Sequence, residues 1–183
     1  SDVQTHDREK PKHTTTCRTF KPGNLLTSQQ LFLYNNTIMS QLTPDLEFRV
    51  KKSVDLFMMG YGCCQSVIAA FADLYDIDEN TALRIGAGFG GGIGRLRMVC
   101  GAVSGMVTLA GLQYGAIDGN DSEGKANCYK VVQDLVNTFK QNNGSVICAE
   151  LLAQSNCKVA TDTHIPDERN KQYYSTRPCA QKV

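Results

Sequence analysis

Cysteine is the residue type in this sequence that offers the most chemistry, because eight cysteines occur among 183 residues. Four of them follow a residue that interrupts the backbone and stand where a helix is predicted to begin. These are Cys63 after Gly62, Cys100 after a glycine loop, Cys148 after Gly144-Ser145, and Cys179 after Pro178. The free N–H groups and the positive dipole end of a helix favour a thiolate, which is a nucleophile and a metal ligand. We therefore predict that these four cysteines form one redox or metal-binding site.

The other four cysteines lack this placement. Cys17 stands alone near the N-terminus, Cys128 follows a helix surface pattern, and Cys157 lies in a predicted loop. Cys64 is interpreted as a small buried residue, which is the usual role of a free cysteine. A shift of one residue in the helix start would exchange Cys64 with Cys63.

Helix start and stop signals precede or follow most of the apolar stretches. Thr43 is a good N-cap, Pro44 suits the first helical position, and Asp78 is expected to cap a third helix. Lysines alternate with an apolar stripe along residues 125–142, which predicts a long amphipathic helix. Alternating strand patterns are missing, so the predicted fold class is all-α, a helical bundle.

The C-terminal third is predicted from weaker signals. Gly144 should end the long helix, and Ser145 should cap a short helix that contains Cys148. Residues 155–176 are polar and are predicted to be irregular. A last helix is expected to start near Pro178.

A glycine-rich segment from Gly86 to Gly115 is predicted to supply the central helix of the bundle. Its second half is uncharged, and small residues recur there every three or four positions, the period of one helix face. We expect this face to lie against another helix. Its members are Gly101, Ser104, Thr108, Gly111 and Gly115.

Two other interpretations of this segment are weaker. Gly86, Gly88 and Gly91 fit a dinucleotide-binding fingerprint, but such a fingerprint needs a preceding strand, and a helix cap precedes it here. Residues 98–117 are about as long as the ~20 residues of a membrane span. They are only weakly hydrophobic, so a buried helix is favoured and no membrane span is expected.

Composition limits the domain organisation and the partners. Hydrophobic residues make up 42% of the chain, which is enough for one hydrophobic core. We expect this core in a single domain formed by residues 39–183. Residues 1–38 are polar and are predicted to be an extended arm or upstream extension. The formal net charge of +1 does not favour nucleic acid as a partner. A signal peptide is not apparent, which favours a cytoplasmic protein. The protein could assemble as a homo-oligomer.

Four blocks of the sequence resemble the redox-active C_GCAxxG_C_C family. They are GYGCCQSV, GFGGGIGRLRMVCGAVSGMVTLAGLQYG, NNGSVICAELL and RPCAQKV, and the second contains the hallmark CGAxxG at residues 100–105. The resemblance covers residues 46–183 and maps the cysteines of the family onto Cys63, Cys100, Cys148 and Cys179. It extends distantly to part of the split-Soret cytochromes, although covalent haem is not expected without C-x-x-C-H.

The resemblance implies redox function with an unidentified redox partner, and three mechanisms fit it. Four thiolates are the right ligand set for an iron–sulfur cluster, which is the favoured expectation. Alternatively, the thiols work without metal as pairs, most simply Cys63 with Cys100 and Cys148 with Cys179. The third mechanism is a structural zinc site with the same four ligands. Arg95 and Arg97 could stabilise thiolates or an anionic partner, whereas His164 is given no role.

Overall fold

Helices account for nearly all the regular structure of the described residues. The computed structural model describes residues 43–155, 157 and 164–183, and these residues contain seven α-helices, two 3₁₀ turns and no strand. The helices are α1 (Pro44–Met58), α2 (Cys63–Phe71), α3 (Glu79–Ala87), α4 (Gly101–Tyr114), α5 (Ser122–Asn143), α6 (Cys148–Ala153) and α7 (Lys171–Thr176). The 3₁₀ turns are Ala72–Tyr75 and Pro178–Gln181. The predicted all-α class is confirmed, and the arm predicted for residues 1–38 lies outside the described residues.

The first helices begin where the sequence predicts. The hydroxyl of Thr43 accepts the N–H of Leu46 at 3.4 Å, and Pro44 is the first helical residue of α1. Asp78 caps α3 by accepting the N–H of Thr81 at 3.0 Å. These caps satisfy backbone donors that have no partner inside the helix.

The last helices differ from the prediction. Helix α6 begins at Cys148 rather than directly after a cap at Ser145, because residues 146–148 first pair with the segment before α4. The hydroxyl of Ser145 accepts the N–H of Ile147 at 2.9 Å, outside the helix. Residues 155–176 were predicted to be irregular, but α7 begins within them, directly after its N-cap Asn170. The side chain of Asn170 accepts the N–H of Tyr173.

Helix α2 is the most buried part of the bundle. It packs against α1, α3 and α4, and α4 in turn contacts α5. The side chains of Cys64 and Ile68 are fully buried in this core. The beginning of α2 is thereby fixed against the beginning of α4, which brings Cys63 near Cys100.

Close approach of α2 and α4 depends on two glycines of α4. A Cβ added to Gly101 would lie 3.0 Å from the Cβ of Cys63, and one added to Gly105 would lie 2.8 Å from the Cβ of Val67. The predicted small face is therefore only partly right. Gly111 has no neighbour within 4 Å of an added Cβ, and Ser104 uses its hydroxyl to bond the Cys100 carbonyl.

Gly105→Ala is expected to destabilise the fold, whereas Gly111→Ala is expected to stabilise it. The first substitution crowds Val67 at a cost of about 1–3 kcal/mol. The second replaces an exposed helical glycine, which should gain about 0.5–1 kcal/mol. Chemical denaturation of both variants measures the two changes. Equal changes in the free energy of unfolding would show that α2 and α4 do not touch at Gly105.

The two weaker interpretations of the glycine-rich segment gain no support. Gly86 lies inside α3 and is packed on the backbone of Gln65, so a helix rather than a strand precedes the glycine loop. None of the helices in the described part of the chain has both the length and the apolar character needed to cross a bilayer.

Candidate functional site

A short antiparallel pairing joins the segments that carry Cys100 and Cys148. Val99 and Ile147 form an isolated β-bridge. The N–H of Cys100 donates to the Val146 carbonyl at 2.8 Å, and the N–H of Cys148 donates to the Met98 carbonyl at 2.6 Å. The starts of α4 and α6 are thus held side by side, although 48 positions separate them in the chain.

The glycine loop leaves room for Cys148. Gly92 has φ +76°, and a Cβ added there would lie 2.7 Å from the Cβ of Cys148. Positive φ angles occur at Gly91, Gly92 and Gly94. Glycine adopts this backbone conformation at little cost because it has no Cβ. Positive φ angles also occur at Arg95 and Arg97, which fixes both arginines in an uncommon backbone conformation.

Cys179 is positioned by contacts between the C-terminal segment and the end of α1. The guanidinium of Arg169 lies 4.7 Å from the ring centre of Phe57 and donates to the Tyr61 carbonyl at 3.3 Å. The hydroxyl of Tyr174 donates to the Met58 carbonyl at 2.9 Å. These contacts bring the 3₁₀ turn Pro178–Gln181 to the end of the bundle where α2 begins.

All four predicted site cysteines line one cavity of about 500 Å³. Cys100 and Cys148 are buried, with 7% and 8% of their surface exposed, whereas Cys63 and Cys179 are half-buried. Cys128 and Cys157 do not line this cavity, and Cys17 lies outside the described residues. We call this space, with its four cysteines, the thiol cavity.

The sequence of this body matches a known family. Residues 61–183 match the family described as "Putative redox-active protein (C_GCAxxG_C_C)". The chain belongs to the C_GCAxxG_C_C family. The predicted resemblance is thereby confirmed over these residues. No curated protein and no solved structure matches the chain significantly, and the distant similarity to split-Soret cytochromes stays a prediction.

Cys63 and Cys179 affect each other's pKa in the thiol cavity of this C_GCAxxG_C_C protein. Hydrogen bonding between their side chains raises the pKa of Cys63 well above its usual value, and burial adds to the rise. The same hydrogen bond, with the positive charges of Arg177, Arg169 and Arg97, lowers the pKa of Cys179 to about 7. Cys179 is therefore the thiol that ionises first, with Cys63 as its protonated neighbour.

Burial raises the pKa of the other two site cysteines. The pKa of Cys100 is raised by burial, although the N–H groups of Ala102 and Val103 oppose the rise. Burial also raises the pKa of Cys148, against the effect of the Arg97 guanidinium. The expectation that placement at a helix start lowers each thiol pKa is therefore wrong for Cys63, Cys100 and Cys148. Only the pKa of Cys179 is lowered, and the causes are Cys63 and the nearby arginines rather than a helix start.

Cys64 does not replace Cys63 in the site. Its side chain is fully buried in the core of the bundle, and burial raises its pKa to about 12. A neutral thiol in such a place acts as a small apolar side chain.

Asp167 gathers arginines from distant parts of the chain at the wall of the thiol cavity. Arg95 binds both oxygens of its carboxylate, at 3.0 and 3.2 Å, and Arg177 binds at 2.8 Å. Arg97 approaches the same carboxylate to 3.9 Å. The hydrogen bonds from Arg95 hold the pKa of Asp167 below its usual value. Since the carboxylate remains ionised, it fixes the arginines beside the thiols.

Several cavity residues carry no clear signal in the sequence. Asp167, Arg169 and Arg177 belong to polar segments without periodicity, and Asp167 and Arg169 bond to Arg95 and Tyr61, which are far away in the chain. His164, which is given no role from the sequence, also lines the thiol cavity. Arg95 and Arg97 were recognisable only as arginines beside a glycine loop.

The four thiols do not form a chelate around one ion. Among residues 43–155, 157 and 164–183, no three metal-binding side chains are close enough to hold the same metal ion. A tetrahedral zinc site needs all four sulfurs about 2.3 Å from one centre. The structural zinc site therefore stays a prediction.

Asp167→Asn is expected to destabilise the protein at neutral pH by on the order of 2 kcal/mol, because it leaves buried arginines without their carboxylate. A carboxyl with a lowered folded-state pKa stabilises the fold above its unfolded pKa of about 3.9, and this contribution is lost as the pH falls further. The difference between variant and wild type should therefore shrink at pH 3.

Asp134→Asn provides the control, since its ion pair with Lys130 is exposed at the surface of α5. Such a pair should contribute less than about 1 kcal/mol. Thermal unfolding of both variants at pH 7 and pH 3 makes the comparison. An Asp167→Asn effect as small as that of Asp134→Asn would show that the arginines do not need this carboxylate.

Proposed function

We propose that this protein is a thiol–disulfide redox protein whose working pair is Cys63 and Cys179. The observation that supports the proposal is that both thiols line the thiol cavity and shift each other's pKa, with that of Cys179 lowered to about 7. They are also the two half-buried residues among the four site cysteines, whereas Cys100 and Cys148 are buried. This pairing differs from the pairs predicted from the sequence, which joined each of them to a buried cysteine.

Cys179 is the attacking thiol in this mechanism. Its thiolate attacks one sulfur of a disulfide substrate, forms a mixed disulfide and releases the first substrate thiolate. The sulfur of Cys63 then attacks Cys179, forms the Cys63–Cys179 disulfide and releases the second substrate thiolate, which takes the proton of the Cys63 thiol. Two protein thiols are oxidised, and one disulfide is reduced to two thiols.

The arginines act on the first step. Positive charge from Arg177, Arg169 and Arg97 favours the thiolate form of Cys179 at neutral pH. A thiol whose pKa is close to the ambient pH combines a large thiolate fraction with good nucleophilicity. The reverse reaction, in which the protein disulfide oxidises two thiols, uses the same residues in the opposite order.

An iron–sulfur cluster is the second candidate, as expected from the family resemblance. The observation in its favour is that all four cysteines line one cavity, together with arginine side chains that suit an anionic group. Cys63, Cys100, Cys148 and Cys179 would hold the cluster, each through its thiolate. When bound, such a cluster supplies one-electron transfer.

Anaerobic purification followed by metal analysis, a visible spectrum and a thiol count separates the candidates. The thiol–disulfide proposal expects a colourless protein that loses two thiols when it reacts with a small disulfide. Peptide mapping should then find Cys63 joined to Cys179. Iron and inorganic sulfide in stoichiometric amounts would replace this proposal with the cluster, and stoichiometric zinc would replace both with a structural site.

A further inference from the structure

Two arginines of the thiol cavity keep hydrogen-bond donors without partners. The side chain of Arg97 is 4% exposed, yet its Nε and Nη2 have no hydrogen-bond partner among the described residues. Nη1 of Arg169 is also buried and has no hydrogen-bond partner among these residues. Buried polar groups of proteins are nearly always hydrogen-bonded, so donors of this kind at a cavity wall indicate a ligand that accepts hydrogen bonds.

The charge of the wall indicates that this ligand is an anion. Five cationic side chains line the described part of the cavity, and Asp167 is the one carboxylate there. That carboxylate is engaged by Arg95 and Arg177, and its distance of 3.9 Å from Arg97 Nη2 is too long for a hydrogen bond. The five cations are Arg95, Arg97, Arg169, Arg177 and Lys182.

The geometry of the donors favours a carboxylate. A guanidinium presents its N–H groups as a planar fork that matches the two oxygens of a carboxylate. The cavity volume of about 500 Å³ lies in the range of pockets for small molecules. Its thiols are buried or half-buried, which suits a molecule that enters the cavity better than a disulfide on a protein surface.

We infer that the thiol cavity takes a low-molecular-mass disulfide that carries carboxylate groups, and that Arg97 and Arg169 bind a carboxylate while Cys179 reacts. This inference rests on the proposed thiol–disulfide function and names its substrate class. The Cys179 thiolate attacks the substrate disulfide and releases one carboxylated thiolate. Cys63 then closes the protein disulfide, releases the second carboxylated thiolate and gives up its proton to it. Arg97 and Arg169 are binding residues that keep their protons throughout.

Three small disulfides of different charge test the inference on the wild-type protein. They are 3,3′-dithiodipropionate (anionic), bis(2-hydroxyethyl) disulfide (neutral) and cystamine (cationic). The rate of Cys63–Cys179 disulfide formation is measured for each and divided by its rate with free N-acetylcysteine amide, a thiol without a carboxylate, which corrects for intrinsic reactivity. The anionic disulfide should react about tenfold or more faster than the neutral one, the effect of one or two charge-assisted hydrogen bonds. Equal corrected rates would overturn the inference.

Arginine variants locate the effect. Arg97→Gln should lower the ratio of anionic to neutral rates several-fold. Arg169→Gln tests the same claim independently and should lower this ratio to a similar extent. Lys51→Gln removes a positive charge at an exposed position of α1 outside the cavity, and it should leave the ratio unchanged. A ratio that falls equally in all three variants would show a general charge effect and contradict the binding role.

Octanedioate separates this inference from the proposed function, because it has the shape and charge of dithiodipropionate without a disulfide bond. Titration calorimetry should detect its binding to the wild type and weaker binding to Arg97→Gln. Binding without any disulfide exchange would refute the thiol–disulfide function and leave an anion site, which overturns the named substrate. Exchange without charge preference and without octanedioate binding would refute the inference alone.

Discussion

Cys179→Ser is expected to slow oxidation of the thiol cavity by a small disulfide at least about a hundredfold, because it removes the thiol that ionises first. Cys63→Ser is expected to stop the reaction one step later. The variant still forms the mixed disulfide at Cys179 but has no neighbouring thiol to displace it. Mass spectrometry after reaction with bis(2-hydroxyethyl) disulfide should therefore find a stable adduct on Cys179 in Cys63→Ser and no such adduct in Cys179→Ser.

Cys128→Ser is the matched control, since Cys128 is half-buried on α5 and does not line the cavity. It should react at the wild-type rate. The pH dependence gives a second check, because the pKa of Cys179 is lowered to about 7 by Cys63 and the nearby arginines. The wild-type rate should rise with pH and reach half of its maximum near pH 7. A trapped adduct on Cys100 or Cys148 instead would show that the working pair is misidentified.

The parts of this fold that local signals determine could be predicted from the sequence. The caps at Thr43 and Asp78 and the end of α5 at Gly144 depend on residues within one helical turn. The four site cysteines were found for a similar reason, since each follows a local interruption of the backbone. Their grouping at one cavity agrees with that selection, and their redox role stays a prediction that the cysteine variants test.

The chemistry of the individual thiols could not be predicted in the same way. Placement at a helix start is local, but burial depends on the whole fold, and it raises the pKa of Cys100 and Cys148. Cys179 differs because arginines from elsewhere in the chain surround it. The sequence contains these residues but does not show that they meet.

The positions at which two helices touch could not be predicted from the sequence for a related reason. A helical period identifies a face, and Gly101 belongs to the small face that was predicted for α4. The tightest contact of α4 with Val67 nevertheless lies at Gly105, one position beyond Ser104. Only the crossing of α2 over α4 selects the position that must lack a side chain. The same reasoning applies to the glycine loop, where many glycines occur but few are sterically required.

Gly92→Ala is expected to destabilise the fold more than any other glycine-to-alanine substitution in the glycine loop. A left-handed backbone costs a residue with a Cβ roughly 1–2 kcal/mol, and Gly92 has φ +76°. The new methyl would also lie 2.7 Å from the Cβ of Cys148 and 2.9 Å from the backbone nitrogen of Met98, neither of which is the end of a flexible side chain. Overpacking of this kind adds about 1–3 kcal/mol. The expected loss of unfolding free energy is therefore about 2–5 kcal/mol, measured by urea denaturation.

Gly94→Ala separates the two causes. Gly94 also has a left-handed backbone, with φ +54°, but an added Cβ there has no neighbour within 4 Å. This variant should lose only the roughly 1–2 kcal/mol of backbone strain. Because the methyl at Gly92 presses on Cys148 and on the backbone that pairs with it, Gly92→Ala should also change the alkylation rate of Cys148 in the folded protein, and Gly94→Ala should not. Equal losses of stability and equal alkylation rates in the two variants would mean that the loop does not hold Cys148 at the cavity, and that its glycines serve the backbone alone.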